Sequence, residues 1–501
     1  MTPRLLILVV AYNAEKTISR VLARVPRALA DEYHVEVLVL DDSSQDRTFE
    51  TSRGAQRDGN LPFPIHVLLN PVNQGYGGNQ KIGYRYAIDQ GFDFVALLHG
   101  DGQYAPECLP DLVRPLRRGE ADAVFGSRMI EKPGALRGGM PLYKFVGNRI
   151  LSWFQNRMLG SSLSEFHSGY RVYSVAALQR LPFEFNTNDF HFDTEIIIQL
   201  MFAGLRIVEL PIPTYYGDEI CHVNGLKYAG DVTRAVLRAR SQRLGLFYDR
   251  RFDCDGEASV AQYEPKFDYV SPHTVAVDLV REGSRVLDLG CAGGYVGAIL
   301  RARKGCRVTG VDRVPLAPGV ELDAFVLHDL DSGLGGLDLR DYDYVLLLDV
   351  IEHLSSPERF VQELRERLTL APGTIVVAST ANIGFAVNRL MLLAGQFNYG
   401  KRGILDLTHT RLFTFSSFRR LFEQAGFRVR DVRGIPGPFA LAFGDSWASR
   451  ALLAVNSALI ALSKGLFSYQ MFFVVEPLPS LEYLLRRAHE HSAERVNVQV
   501  S

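Results

Sequence analysis

The sequence predicts an α/β protein of two domains, each built around a mostly parallel sheet. A chain of 501 residues with 47% hydrophobic residues is long enough for two or three domains with cores of their own. Short apolar runs alternate with helical stretches from Arg4 to Gly126, and a second series of this kind begins at Val286. We expect the first domain at residues 1–250, a linker and entry segment at 251–271, and the second domain at 272–501.

Net charge and cysteine content limit which binding partners and which cellular compartment we expect. The 55 basic and 56 acidic residues nearly cancel, so net charge does not favour binding to nucleic acid or to an anionic surface. The five cysteines show no CxxC spacing, which favours reduced thiols in the cytoplasm. The apolar run at the N-terminus ends in a polar turn and predicts a first strand.

A membrane span is not predicted. The closest stretch, Ala451–Ser463, is apolar but shorter than the roughly 18 to 20 residues that a span needs, so we expect a buried or interfacial helix. Any membrane contact would be peripheral, at the inner face of the membrane.

The elements of the first domain follow in order. Five apolar runs predict strands at residues 5–10, 35–40, 64–69, 93–98 and 122–126. The alternation stops between 131 and 190, where glycine and proline at 133–141 predict a mobile loop and Tyr143–Leu159 predict a helix. A basic helix is predicted over residues 224–252, and a solvated face is favoured over contact with lipid or phosphate.

Polar residues gather where the predicted strands end, and in open α/β sheets ligands bind at that edge. Tyr12, Asn13 and Glu15 follow the first strand, and Asp41 and Asp42 close the second, where carboxylates can accept hydrogen bonds from a nucleotide. The glycine-rich segment NQGYGGNQKIG offers flexible backbone beside Lys81, which suits a phosphorylated ligand.

These ordered motifs resemble the inverting glycosyltransferases of the second family, nearest to dolichyl-phosphate-mannose synthases, over about residues 4–245. The resemblance implies a nucleotide-diphospho-sugar transferase (GT-A-like) fold. It also implies a UDP- or GDP-sugar donor and a divalent cation, Mg or Mn, held by a D-x-D pair. Here the matching residues are His99, Gly100 and Asp101, followed by Gln103. Asp101 and Gln103 can offer oxygen ligands, and a nitrogen ligand from His99 would favour manganese, although His99 could equally pack at the strand end.

The same resemblance implies a general base in the segment DFHFDTEIIIQL. We expect Asp193 to take this role, with Glu195 second, while a capping role at the helix N-terminus is the competing interpretation for Asp193. Arg128 and Arg171 match family positions that contact phosphate or acceptor, and surface ion pairs are the alternative for both.

The second domain begins with VLDLGCAGGYVG, a strand that leads into a glycine turn. Asp288, Gly290, Gly293 and Gly294 form a D-x-G-x-x-G-G pattern, and Asp312 closes the next predicted strand. An acid at that distance is placed to accept hydrogen bonds from both ribose hydroxyls of a nucleoside. Asp329 ends a third predicted strand and Asp349, in DVIEHL, a fourth.

Together these motifs resemble the Rossmann-like methyltransferases that use S-adenosylmethionine, over about residues 263–478. A dinucleotide-dependent dehydrogenase is the less favoured interpretation. The resemblance implies that Asp312 holds the ribose, that Asp329 holds the adenine amino group and that Gly290 to Tyr295, with Cys291 among them, wrap the methionine part. Asp349 is included in this cofactor site. The seven predicted strands suit a doubly wound sheet, with the last two as antiparallel candidates.

Methyl transfer to oxygen requires removal of a proton. His353 and His409 are the candidate bases, and His353 could instead hold its loop. The polar segment 398–411 is an expected acceptor-side loop, and residues 434–465 an expected apolar lid or membrane-facing patch.

We therefore expect a bifunctional enzyme that transfers a sugar to a glycan or lipid-linked acceptor and methylates a related hydroxyl. The alternatives are a polyprenyl-phosphate sugar synthase whose second domain methylates an unrelated small molecule, and a chain in which one domain only binds its ligand.

Overall fold

The computed structural model describes most of the chain, and its two halves form separate compact units. The described residues are 2–58, 61–131, 135–136, 138–214, 224–243, 248–254, 267–371, 373–444, 446–479 and 484. One unit is drawn mainly from the first 242 residues and the other mainly from residues after 260. Most of the predicted linker, and residues 132–134 and 137 of the predicted Gly/Pro loop, lie outside the described residues.

The first unit contains a seven-stranded sheet of order β3-β2-β1-β4-β6-β5-β7. Its strands are β1 Arg4–Ala11, β2 His34–Asp41, β3 Ile65–Leu69, β4 Phe94–His99, β5 Ala123–Ser127, β6 Arg171–Ser174 and β7 Ile207–Pro211. All five predicted strands are present. The sequence did not indicate β6, because it is short and carries polar residues at both ends, or β7, whose residues are mostly half-buried. β6 runs antiparallel to β4 and β5.

Helices cover both faces of this sheet. They are α1 Ile18–Ala23, α2 Thr48–Asp58, α3 Tyr76–Asp89, α4 Leu109–Arg117, α5 Leu142–Leu159, α6 Val175–Leu178, α7 Phe192–Phe202 and α8 Gly225–Arg243. Because side chains alternate along a strand, Leu5, Ile7 and Val9 of β1 enter one apolar cluster while Leu6 and Leu8 enter the other. Helix α5 confirms the prediction to within one residue. The predicted basic helix is described as α8 to Arg243, followed by a 3₁₀ turn at Arg250–Phe252.

The second unit contains a seven-stranded sheet of order β10-β9-β8-β11-β12-β14-β13. Its strands are β8 Arg285–Leu289, β9 Arg307–Asp312, β10 Ala324–Leu327, β11 Tyr344–Leu348, β12 Ile375–Ala381, β13 Phe427–Ile435 and β14 Gln470–Pro477. All seven predicted strands are present. The last two strands pair antiparallel, as predicted: β14 is antiparallel to β12 and to β13. β13 therefore points the same way as the parallel strands.

Helices of the second unit are α9 Pro272–Leu279, α10 Tyr295–Lys304, α11 Pro357–Arg367, α12 Ala386–Leu393, α13 Phe415–Gln424, α14 Phe439–Phe443, α15 Trp447–Leu462 and α16 Lys464–Phe467. Helices α14 to α16 fill the connection between β13 and β14, at the edge where β12 ends. Among the described residues, none of the helices combines the length and apolarity needed to cross a bilayer.

Candidate functional sites

Asp41 offers a buried acceptor at the carboxyl end of β2. One carboxylate oxygen accepts a hydrogen bond from the Ser44 amide at 2.9 Å, while Oδ2 is buried with no hydrogen-bond partner among the described residues. Burial raises the pKa of Asp41. Because a buried acceptor without a donor is costly, this oxygen is suited to a donor group on a ligand.

Asp42, predicted beside Asp41 as a ligand contact, is instead occupied by the glycine-rich turn. Its carboxylate accepts hydrogen bonds from the Asn70 side chain at 2.8 Å and from the amides of Gln74 and Gly75 at 2.8 and 3.0 Å. A Cβ at Gly75 would lie 2.7 Å from the Asn188 carbonyl oxygen. The glycines therefore allow close approach to another part of the chain, and Asp42 fixes the shape of the turn.

Lys81 points into a backbone cradle. Its ammonium donates hydrogen bonds to the carbonyls of Asn186 at 2.7 Å and Glu184 at 3.4 Å, and burial lowers its pKa. The structure thus places this amine on protein carbonyls, so a phosphate would have to displace them.

The residues after β1 brace the neighbouring loop. Asn13, at φ +50°, donates its amide to Ser44 Oγ at 2.9 Å, and its side-chain oxygen accepts from the Gln45 amide at 2.9 Å. Glu15 accepts from the Arg47 amide at 3.3 Å. Tyr12 is exposed at the same edge, so these three residues shape the rim beside Asp41.

The predicted cation ligands follow β4. Asp101 is exposed, and one of its oxygens accepts a hydrogen bond from the Gln103 amide at 2.9 Å. The His99 ring lies edge-on to Tyr76 and Tyr104, with centroid distances of 5.6 and 5.0 Å, and burial lowers its pKa. Packing of His99 is therefore established, and Asp101 is the predicted ligand most open to a cation.

Asp193 lies in the first turn of α7, where it meets three elements. Its Oδ2 accepts a hydrogen bond from the Tyr76 hydroxyl at 2.9 Å, and its Oδ1 lies 3.5 Å from Nη1 of Arg171. Arg171 is 1% exposed and donates to the carbonyls of Ser168, Asp193 and Phe166 at 2.8 to 2.9 Å. Burial alone would lower the pKa of Arg171, but Asp193, Tyr173 and Tyr76 together outweigh it and the pKa is raised.

Tyr76 and Gly169 complete this cluster, although the sequence analysis assigned neither a role. A Cβ at Gly169 would lie 2.6 Å from the His99 ring and 2.7 Å from the Tyr76 hydroxyl. Only glycine therefore fits there. The signal was present in the sequence, since Tyr76 lies in the glycine-rich segment and Gly169 precedes Arg171 by two positions.

Glu195 and Arg128 are held in buried ion pairs. Glu195 accepts a hydrogen bond from the Thr187 amide at 2.7 Å and pairs with Arg251. Arg128 pairs with Glu165, which also accepts from Asn148 of α5 at 2.8 Å. Burial opposes ionisation of Glu165, but Arg128 outweighs it and the pKa of Glu165 is lowered. These contacts connect the end of β5 to α5.

Three residues have metal-ligand types and spacing: Asp189 and His191, which precede α7, and Asp231 of α8. The Lys227 ammonium lies 2.5 Å from an Asp189 oxygen and 3.7 Å from an Asp231 oxygen. A cationic side chain therefore already neutralises this cluster.

In the second unit, the turn after β8 has the shape expected of a nucleotide-binding loop. Gly290, Ala292 and Gly294 have φ of +76°, +47° and +80°. Asp288 is 2% exposed, and its Oδ2 has no hydrogen-bond partner among the described residues. Burial, reinforced by Asp312, raises the pKa of Asp288 to about 7. A cavity here is lined by His273, Asp288, Gly290, Cys291, Tyr295, Val296 and Leu348.

The remaining predicted cofactor residues lie along the same edge of the sheet. Asp312 accepts hydrogen bonds from the amides of Ala292 at 2.7 Å and Val314 at 3.0 Å, so it also supports the turn. Asp329 is exposed after β10 and accepts from the Asp331 amide at 3.0 Å. A Cβ at Gly293 would lie 2.7 Å from the Tyr295 ring.

Asp349 has a φ of +58°, and hydrogen bonds hold its carboxylate. Its carboxylate accepts hydrogen bonds from Ser379 Oγ at 2.7 Å and from the Gln470 side chain at 2.9 Å. Glu352, which follows in the same motif, is 2% exposed, and its Oε2 lacks a hydrogen-bond partner among the described residues. Burial and the neighbouring Asp349 raise the pKa of Glu352 to about 8.

The structure brings together the two candidate bases that are 56 positions apart in the sequence. The rings of His353 and His409 pack edge to face with centroids 4.8 Å apart. Nδ1 of His409 lies 2.9 Å from the Ile404 carbonyl, and Nδ1 of His353 lies 3.3 Å from the Thr408 carbonyl. Because a carbonyl only accepts, Nδ1 of His409 carries the proton and its Nε2 keeps a lone pair in the neutral ring. Nδ1 of His353 also lies 3.1 Å from the Thr408 hydroxyl, which can donate or accept. Burial, then His353, lowers the pKa of His409.

One surface feature accompanies the first unit's site. Helix α5 turns polar residues inward, and Gln155 reaches Thr194, the neighbour of Asp193, at 3.4 Å. Its outward face is apolar and exposed over Leu142, Tyr143, Val146, Ile150 and Trp153. Trp153 is 68% exposed. These positions recur at helical spacing, so they form one continuous stripe.

Comparison with known proteins identifies both units. Residues 6–181 match the model of Glycosyl transferase family 2, and residues 262–432 match a Methyltransferase domain model. The chain carries a family 2 glycosyltransferase domain and a methyltransferase domain. The predicted two-domain recognition is confirmed, and the second unit matches a methyltransferase model rather than a dehydrogenase one. The sheet with antiparallel β6 is the GT-A-like fold, and the sheet with antiparallel β14 is the Rossmann-like methyltransferase fold.

Relatives match the glycosyltransferase domain. Undecaprenyl-phosphate mannosyltransferase of Micrococcus luteus is 29% identical over 216 residues, which are 42% of this chain and 82% of the relative. The low-salt glycan biosynthesis hexosyltransferase Agl6 of Haloferax volcanii is 33% identical over 44% of this chain and 49% of the relative. Glucosyl-3-phosphoglycerate synthase of Mycobacterium tuberculosis, solved with Mn²⁺, UDP and phosphoglyceric acid, has a TM-score of 0.35 and 19% identity. That match covers 48% of this chain and 78% of the solved one.

Proposed function

We propose that the glycosyltransferase domain transfers a sugar from a nucleotide-sugar donor to a polyprenyl phosphate. We further propose that the methyltransferase domain methylates a hydroxyl of the glycan built on that lipid. The observation that carries the first step is the exposed apolar stripe of α5 beside the Asp193 cluster, which suits a lipid acceptor. The relatives named for undecaprenyl-phosphate and polyprenol phosphate transfer support the same acceptor class.

In the donor site, the free oxygen of Asp41 would accept a hydrogen bond from the nucleotide, and Tyr12 would border it. Asp101 would hold a divalent cation, Mg or Mn, together with the diphosphate and water. Asp42, Asn13, Glu15 and Lys81 would keep the shape of the loops, as their present hydrogen bonds do. The cation would neutralise the charge that develops on the leaving diphosphate.

The transfer would invert the anomeric carbon. An acceptor phosphate oxygen would form the new bond to that carbon as the bond to the donor diphosphate breaks on the opposite side. A phosphate is already deprotonated at neutral pH, so no base would be needed. Asp193 would then orient Tyr76 and balance Arg171, and it would act as a base only towards a hydroxyl acceptor.

In the methyltransferase domain, S-adenosylmethionine would supply an activated methyl group. The structure fits this cofactor through the orphaned oxygen of Asp288, the left-handed turn and the exposed Asp329. Asp312 would hold the ribose, Asp329 the adenine, and Asp288 with Gly290 to Tyr295 the amino acid part. An Nε2 atom of the His353–His409 pair would accept the proton of the acceptor hydroxyl.

The first experiment is calorimetric titration of the full chain with S-adenosylhomocysteine, and with UDP and GDP in the presence and absence of manganese. We expect both ligand classes to bind, and the nucleotide to bind only with metal. Transfer of labelled sugar is then compared between undecaprenyl phosphate and a soluble sugar hydroxyl. Transfer to the soluble hydroxyl alone would reject the polyprenyl phosphate acceptor. Failure of S-adenosylhomocysteine to bind would reject the second activity without affecting the first.

Asp101→Ala and Asp312→Ala are matched controls for these titrations. Asp101→Ala should abolish the metal-dependent part of nucleotide binding and leave S-adenosylhomocysteine binding unchanged. Asp312→Ala should weaken S-adenosylhomocysteine binding and leave nucleotide binding unchanged. If UDP and manganese bind equally well to Asp101→Ala, the cation assignment is wrong.

A further inference from the structure

Helix α15 buries two polar side chains and Ile460, and most of its exposed side chains are apolar. Its inward positions include Ser449 and Asn456, which are 4% and 7% exposed. Asn456 accepts a hydrogen bond from the Gly437 amide at 3.1 Å and donates one to the Phe467 carbonyl at 2.9 Å. These bonds join the helix to the segments before and after it, so the inward face is fixed.

The outward face of α15 is almost entirely apolar. Trp447 is 79% exposed, Val455 57% and Leu462 81%, and the only polar residues among the exposed ones of this helix are Arg450 and Ser457. A globular surface helix normally shows the opposite arrangement. An exposed apolar face of this length indicates contact with an apolar partner.

This face lies at the edge of the sheet where the cofactor turn lies. The register pairs Ala381, the last residue of β12, with Gln470, the first of β14, and α14 to α16 directly precede Gln470. β8, β11 and β12 run parallel, so the turn after Leu289 and Asp349 lie at the same edge. Asn382, which follows β12, donates to the Gly465 carbonyl at 3.1 Å. The apolar face is thus on the side from which an acceptor would reach the methyl donor.

We propose that α15 lies in the interface of a phospholipid bilayer and thereby presents a lipid-linked acceptor to the methyltransferase site. This deepens the proposed function and rests on it. Leu441 before the helix, and Leu390 and Leu393 of α12, are also exposed, at 68%, 65% and 85%.

Composition distinguishes a bilayer from a second protein surface. The outward residues Ala451, Ala454, Ala458 and Ala461 are of a type depleted at protein interfaces. A tryptophan begins the helix and Lys464 follows its end, which is the arrangement of interfacial helices. Between Gly434 and Tyr469 the sequence has one acidic residue, Asp445, beside Arg450 and Lys464. The charge therefore suits anionic headgroups.

The two tryptophans of the chain make the test selective, because Trp447 reports on α15 and Trp153 on α5. The full-length Trp153→Phe variant is mixed with vesicles of phosphatidylcholine and phosphatidylglycerol, with and without brominated acyl chains. We expect the Trp447 emission to shift to shorter wavelength and to be quenched by the brominated lipid. Trp447→Phe, measured in parallel, reports on α5 separately.

Two further variants in the Trp153→Phe background test whether α15 is the part of the chain that binds the vesicles. Val455→Asp should weaken partition into vesicles about tenfold or more, because it replaces buried apolar area with a charge. Val270→Asp, at an exposed valine outside this surface, should leave partition unchanged. Equal partition of Val455→Asp and its parent would overturn the proposal.

Other occupants give different results. If Trp447 is already shielded from acrylamide without vesicles, a second copy or another part of the chain covers α15 and the proposal is wrong; sedimentation then tells whether a dimer is present. Titration with S-adenosylhomocysteine on the same sample separates the two proposals. If S-adenosylhomocysteine binds but the Trp447 emission does not change with vesicles, only the membrane proposal is rejected. If the Trp447 emission changes but S-adenosylhomocysteine does not bind, only the methyl donor site is rejected.

Discussion

Two buried carboxylates of the glycosyltransferase domain lie beside arginines, whereas two of the methyltransferase domain lie beside other acids. In the glycosyltransferase domain, Asp193 lies beside the buried guanidinium of Arg171, and Glu165 beside Arg128. In the methyltransferase domain, Asp288 and Glu352 are buried next to other acids, and their pKa values rise to about 7 and about 8. Asp193 and Glu165 are therefore held beside cationic side chains, whereas the pKa values of Asp288 and Glu352 lie near neutral pH. The role of an acid depends on what packs against it rather than on the motif that contains it.

The largest expected effect comes from breaking a fixed pair. Arg171→Leu leaves three buried carbonyls without their donor and the Asp193 carboxylate without its cationic neighbour. Removal of one partner of a buried pair typically costs about 3 to 5 kcal/mol of stability. Chemical denaturation of the full chain should show an earlier transition of the glycosyltransferase domain. Arg85→Leu, at an exposed arginine, is the matched control and should barely move it. Equal denaturation midpoints for the two variants would contradict a stabilising role of Arg171.

The second prediction concerns the acid that supports the cofactor turn. Asp312→Ala removes hydrogen bonds to the Ala292 and Val314 amides as well as the predicted ribose contact. Hydrogen bonds to a charged acceptor contribute about 1.5 to 3 kcal/mol, so affinity for S-adenosylhomocysteine should fall roughly 10- to 150-fold. Calorimetry measures this directly. Asp338→Ala, at an exposed aspartate, should bind as the wild type does, and unchanged affinity in Asp312→Ala would remove the ribose assignment.

A smaller effect is expected at Asp193, whose proposed role with a phosphate acceptor is to orient its neighbours rather than to remove a proton. Asp193→Asn preserves a hydrogen-bond acceptor for Tyr76 but removes the negative charge. General-base catalysis contributes about 10²- to 10⁴-fold, so a true base would lose at least that much. With polyprenyl phosphate as acceptor we expect less than about a tenfold loss of kcat. A hundredfold loss, with donor binding intact, would instead establish Asp193 as a base and favour a hydroxyl acceptor.

The sequence predicted the strands well because buried parallel strands are continuous apolar runs, as in LLILVV and YVLLL. It also placed the candidate acids at the correct edge of each sheet. It could not show that Asp42 and Lys81 bond to the chain itself, because those partners come from distant segments such as Asn70 and Asn186. The pairing of His353 with His409 was equally hidden, since α11, β12 and α12 lie between them in the sequence. Tertiary contacts, rather than motifs, divide candidate residues into scaffold and site.

The last prediction tests whether Asp288 of the methyltransferase domain titrates near neutral pH. The ordinary pKa of aspartate is about 3.9, and that of Asp288 in the folded protein is about 7. Between these values the folded state holds a proton that the unfolded state has lost, so the free energy of unfolding falls as pH rises, by up to about 1.4 kcal/mol per pH unit. Above pH 7 the folded state has lost this proton too, so Asp288 causes no further fall in the free energy of unfolding.

Asp288→Asn should flatten this decline between pH 5 and 7, as measured by denaturation of the ligand-free chain at each pH. Glu352 contributes a second decline in wild type and variant alike, so the difference between the two isolates Asp288. Asp338→Asn is the control: the hydrogen bond from Arg340 lowers the Asp338 pKa to about 2, below this window, and its profile should follow the wild type. Parallel profiles for Asp288→Asn and wild type would mean that Asp288 is ionised in the fold. Its environment would then resemble that of Asp193, and the contrast between the two domains would fail.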